Sequence, residues 1–143
     1  MLFLREVQLD LSSKIESILT ELGQTYNAGL MKAPVLVSTL PEEKVVPATY
    51  LKVEDVPGFV PRPFFRCSGI LLLDLSIELG DEVVSSLAYD LEARLQELLD
   101  QSNSTNHTYY IGYTTRLLQS VLREENVNSI KFEFEVQGIE RPV

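Results

Sequence analysis

The sequence predicts one α+β domain, a mainly antiparallel sheet of about four strands with two principal helices packed on one face. Three stretches carry that expectation. From Phe65 to Leu79 every odd position except Gly69 is apolar, while Asp74, Ser76 and Glu78 make the even side polar in the second half. That period of two is a half-buried strand. After Gly80, residues Val84, Leu87, Ala88, Leu91, Leu95, Leu98 and Leu99 recur at three- and four-residue spacing, the apolar stripe of a helix over 81–101. At the end of the chain Ile130, Phe132, Phe134 and Val136 alternate with Lys131, Glu133, Glu135 and Gln137, a second amphipathic strand.

The first of these units organises the rest. Ile70 and Leu72 are apolar on the even side too, so both faces should be covered there, by helices or by a neighbouring chain. Gly69 reads as a bend or bulge in an overlong strand. Asp81 stands where a helix N-cap belongs, with its carboxylate at the positive end of the helix dipole. The helix that follows carries Asp81, Glu82, Asp90, Glu92, Glu97 and Asp100 against the single base Arg94. Its outer side is therefore acidic.

Taken in order, Leu11, Ile15, Ile18, Leu22 and Tyr26 advance by helical steps and predict a first helix over 11–30. Ser13-x-x-Glu16 resembles a capping box at its start, and Gly29 is placed to end it. Val35 to Leu40 reads as a short strand behind Pro34. Five of the seven prolines fall between 41 and 63, where only Ala48 to Val53 looks strand-like, since proline removes ladder donors and stops helices. The rest of about 41–63 is expected to protrude as a Pro-rich loop. Phe59 and Val60 lie between prolines and are expected to be exposed unless something covers them, which makes them candidate contact residues; a loop tucked onto its own core is the equally simple alternative. Beyond the polar stretch 102–108, Tyr109 to Tyr113 reads as a short strand. Leu117, Leu118, Val121 and Leu122 then fit one face of a short helix over 114–125.

At 143 residues the chain fits a single domain, 1–143, able to bury a core without disulfides or metal. A net charge of −9 argues against any broad phosphate-binding surface. The imbalance sits in the second half, where residues 64–143 hold thirteen acids and six bases. A single cysteine, Cys67, leaves no internal disulfide and falls on the apolar side of the main strand, so it reads as core. The first residues lack the basic and long apolar regions of a secretory signal. No stretch reaches membrane-spanning length.

Reaction chemistry finds little to stand on. His107, the only histidine, has no cysteine or carboxylate cluster near it in sequence. The scattered glycines form neither a dinucleotide fingerprint nor a phosphate loop. The pairs Glu133/Glu135 and Asp74/Glu78 are explained more simply by solvated strand faces than by acid–base work or calcium. The expectation is a protein that is not an enzyme, with no cofactor, no metal and no catalytic residue.

The helix at Leu11–Leu30, the Ala33-Pro-Val-Leu-Val segment, the unit Phe65–Gln101 and the ending Ile130-Lys-Phe-Glu-Phe-Glu-Val together resemble the layout of tail terminator proteins of long-tailed bacteriophages. The likeness spans nearly the whole chain and contains no diagnostic motif. The segment 109–126 is longer than the family pattern requires. The resemblance implies a structural virion protein, made in the host cytoplasm and located in the virion at the tail and neck. It would form a homo-oligomeric, six-fold ring that caps the tail tube and joins it to the neck or connector proteins of the head. DNA would pass through the lumen without specific binding, and either the acidic helix with Glu92 and Glu97 or the strand face with Asp74 and Glu78 would line that passage. Another head–tail connector or an α+β adaptor is the competing reading, and an enzyme with an unrecognised site the third.

Overall fold

The computed structural model describes residues 2–30, 32–43, 45–56, 64–100, 109–124 and 126–140. Among these residues two helices, α1 (Leu2–Tyr26) and α2 (Asp81–Asp100), accompany five strands, β1 (Val35–Leu36), β2 (Ala48–Asp55), β3 (Phe64–Ser76), β4 (Tyr109–Glu124) and β5 (Val127–Glu140). They form one sheet in the order β1-β2-β3-β5-β4. Every neighbouring pair is antiparallel except β1 with β2. The α+β class therefore holds, with five strands and one parallel pair in place of four antiparallel strands.

β3 is central, and its odd residues Phe65, Cys67, Leu71, Leu73 and Leu75 are buried. They share one core with Val7, Leu11, Ile15, Leu19 and Leu22 of α1, with Val84, Leu87, Leu91 and Leu95 of α2, and with Ile130, Phe132 and Val136 of β5. Both helices thus cover the same face. Burial pushes the Cys67 thiol up to about 12, as befits a core thiol. On the opposite face Leu72 is buried and Ile70 half-buried, yet no helix lies over them among the described residues. Leu72 is flanked instead by Tyr50 and Lys131 at the same register.

Several local expectations are corrected. The first helix begins at Leu2, because Leu4 and Val7 extend the apolar stripe backwards from Leu11, and Ser13 lies exposed in its middle rather than at a cap. The helix ends at Tyr26 with Asn27 in the left-handed region (φ 50°) and Ala28 N–H donating to Gly23 C=O at 3.1 Å. This six-to-one closure with Asn at C′ is a Schellman end, so Asn27 rather than Gly29 terminates it. The strand expected over 35–40 has only two ladder residues, followed by a bond from Val37 N–H to Leu51 C=O.

The 65–79 strand stops at Ser76, and α2 starts one residue earlier in the capping sense than expected. Gly80 C=O accepts the Val84 N–H, so Gly80 holds the cap position and Asp81 is already helical. Asp81 and Glu82 still stand in the positive first turn. Gly69 makes no bulge: its register runs unbroken against Val53 and Phe134. A Cβ there would come within 2.3 Å of the Phe134 ring, so the glycine exists to seat that ring.

The largest correction concerns 109–125. Instead of a short strand and a short helix, Tyr109–Glu124 is one sixteen-residue strand. The chain reverses between Glu124 and Val127, which pair directly, with Asn126 at φ 74° as hairpin turns demand. Two register shifts, between Ile111 and Thr114 and between Thr114 and Leu117, each give β4 one extra residue against β5. From Leu117 to Glu124 the ladder is regular.

Candidate functional site

Of the residues singled out for contact, Phe59 and Val60 lie outside the described residues. Glu92 and Glu97 are placed on α2, Glu92 half-buried and Glu97 exposed. Five residues apart on a helix, they sit about 140° from each other around the axis and do not share a face.

The acidic side of α2 is also partly answered by bases and donors. Asp81 pairs with Arg123, whose guanidinium also donates to Ile77 C=O at 3.2 Å. Asp90 accepts the Tyr26 hydroxyl proton across the helix pair. Arg94 donates to Glu21 at 2.8 Å. Because residues 21 and 26 of α1 meet 94 and 90 of α2, the two helices run antiparallel. The hydrogen bond and charge of Arg94 hold the Glu21 carboxyl below the usual carboxylate range. Glu21 in turn raises Arg94, with Glu97 a smaller contributor. The bond to Asp90 raises the Tyr26 phenol. The Tyr26–Asp90 and Arg94–Glu21 contacts clasp the helices together, Arg123–Asp81 ties α2 to β4, and all three leave α2 less uniformly acidic than its composition implies.

The other carboxylate pairs separate as well. Asp74, 1% exposed, accepts from Ser129 Oγ at 2.7 Å, so it cannot line a passage. Glu78 lies exposed in the turn before α2. Glu135 holds Arg66 at 2.6 Å, and Glu133 lies 3.3 Å from Lys131. Among the described residues no group of three histidine, cysteine or carboxylate side chains is arranged to hold a metal ion. Among the same residues no helix is long and apolar enough to cross a membrane.

What the surface does offer is apolar. β4 is an edge strand, and in its regular part Val121 and Leu122 point to opposite faces yet are 45% and 56% exposed. Edge strands of soluble proteins are blunted by short length, bulges, lysine or proline. β4 has bulges in its first half, while 117–124 contains neither lysine nor proline. Phe64 at the start of β3 and Tyr89 on the outer side of α2 are exposed too. At the end of the molecule where β3 turns into α2, a dent of about 450 Å3 is lined by Ala28, Val46, Pro47 and Leu79, with Glu78 beside them. A second groove of about 370 Å3 runs between the start of α1 and the β1–β2 edge, where Gln8 Nε2 donates to Val53 C=O at 2.9 Å.

The chain matches no known family model. No curated protein matches it either.

Sequence reasoning passed over the β4 edge, Phe64 and the dent. Phe64 was legible, since two adjacent phenylalanines in an alternating strand must face opposite ways. The dent was not, because its lining comes from segments far apart in the chain.

Proposed function

We propose that this protein works by contact rather than catalysis, as a tail terminator that assembles into a ring, caps the tail tube of a long-tailed bacteriophage and joins it to the neck. The observation that carries the reading is the open β4 edge with apolar side chains exposed on both of its faces. Among the described residues β4 is an edge strand with exposed Val121 and Leu122, a surface suited to a strand of the tube or neck proteins. The layout of two helices on one face of a sheet agrees with the resemblance drawn from the sequence, and the acidic balance suits a ring through which DNA passes without sticking. In this reading the partners are further copies of the chain, the tube protein and the neck proteins.

The test is addition of the purified protein to tail tubes polymerised from a tail-tube protein of the same genome. Electron micrographs should show a single ring at one end of each tube and halted elongation. Tubes that keep growing with bare ends would contradict the assignment.

A further inference from the structure

We infer that copies of this chain join head to tail, the exposed Phe64 of one seating in the apolar dent at the far end of the next. Phe64 opens β3 and is 53% exposed. Arg66, two residues on and therefore on the same side of the strand, binds Glu135 while keeping 44% of its side chain in solvent. One end of β3 thus presents an aromatic ring beside a guanidinium. Past the other end, at Ser76, lies the dent, where Ala28, Val46, Pro47 and Leu79 make an apolar part beside Asn27, Gly29 and Ser76, with the exposed carboxylate of Glu78 on its rim. Val46 itself is 37% exposed, so apolar surface there awaits cover.

A hollow of about 450 Å3 has room for the ring, and the solvated part of the Arg66 guanidinium, already paired with Glu135, is opposite in charge to Glu78. Thirteen residues of strand at about 3.3 Å each put them about 40 Å apart, so no copy fills its own dent. The occupant is a second copy. Because knob and dent are different surfaces, every copy both offers one and receives one. Such a heterologous contact generates a closed ring when the rotation between copies closes, and an open filament when it does not. The inference rests on the ring reading above and names the surfaces through which the ring forms.

Sedimentation velocity on two variants and their mixture tests it. Phe64→Ser removes the knob and Val46→Asp spoils the dent, each at a partly solvated position where thermal unfolding should stay near the parent. Each alone should lose the oligomers, with association weakened about 10- to 150-fold, the equivalent of one buried aromatic side chain. Mixed in equal amounts they should form dimers and stop. The intact Phe64 of the Val46→Asp variant enters the intact dent of the Phe64→Ser variant, and no matching knob and dent remain. Glu78→Lys, in an exposed turn, should weaken assembly by repelling Arg66 without touching the core. Val46→Leu should assemble like the parent. Single variants that assemble as the parent does, or a mixture that stays monomeric or grows beyond dimers, would overturn the contact while leaving ring formation through another surface intact. A parent that never associates at any concentration would overturn the ring reading with it.

Discussion

Gly69 shows how one missing Cβ shapes the sheet. It faces Phe134 across the β3–β5 ladder, and the ring occupies the space where a side chain would begin. Gly69→Ala should therefore destabilise the protein by about 1–3 kcal/mol through overpacking, measured as a lower urea midpoint. Phe134→Leu in the same chain should recover part of the loss, because the smaller side chain gives way. The sequence carried the glycine but not its reason, since the ring that needs it lies sixty-five positions away and only pairing brings the two together. Glu21 makes a residue-scale case of a different kind. Its carboxyl titrates below the usual range because Arg94 stabilises the charged form. A depressed carboxylate pKa contributes stability that is present above the unfolded-state value and is lost as pH falls through the folded-state value. Carbon-detected NMR titration should place Glu21 below ordinary glutamates, and Arg94→Gln should bring it back up. A Glu21 titration unmoved by that substitution would refute the clasp between the helices.

At the scale of elements, α2 and β3 were legible because each buries a single side and keeps its period from end to end. Leu73 and Leu91, expected in the core from that periodicity, are both fully buried. Truncating either to alanine should lower stability by about 2–5 kcal/mol, as lost transfer energy plus the cavity left behind. Equilibrium denaturation checks this, and unchanged midpoints would refute the packing of α2 on β3. β4 was misread for a reason equally physical. Leu117, Leu118, Val121 and Leu122 fit a helical stripe, but they also fit a strand with apolar residues on both sides, and local pattern cannot choose between them. The choice is made by pairing along the length of β5, whose alternation was plain. The first nine residues of α1 were illegible in a similar way, because Arg5, Glu6 and Asp10 break up the apolar run and obscure the helical spacing of Leu4, Val7 and Leu11.

At the scale of the molecule, the sequence conveyed the α+β class and the acidic balance, whereas the contact surfaces depend on distant segments meeting. The dent is built from the end of α1, the stretch before β2 and the β3–α2 turn. That turn is fixed from across the sheet by Asn128 Nδ2, which donates to Ser76 C=O at 3.0 Å and Leu79 C=O at 3.3 Å. Charge belongs to the same scale. If Glu92 and Glu97, on different sides of α2, help keep DNA from sticking, reversing both to lysine should leave folding nearly intact and create a DNA affinity that falls steeply with salt. Tight duplex binding by the parent at physiological salt would contradict that role.

The ring proposed for this chain is open to measurement by sedimentation equilibrium over a wide concentration series. A six-membered ring requires concentration-dependent association that ends at one closed species of six times the 16.2 kDa chain mass. A single monomeric mass across the whole series would contradict it.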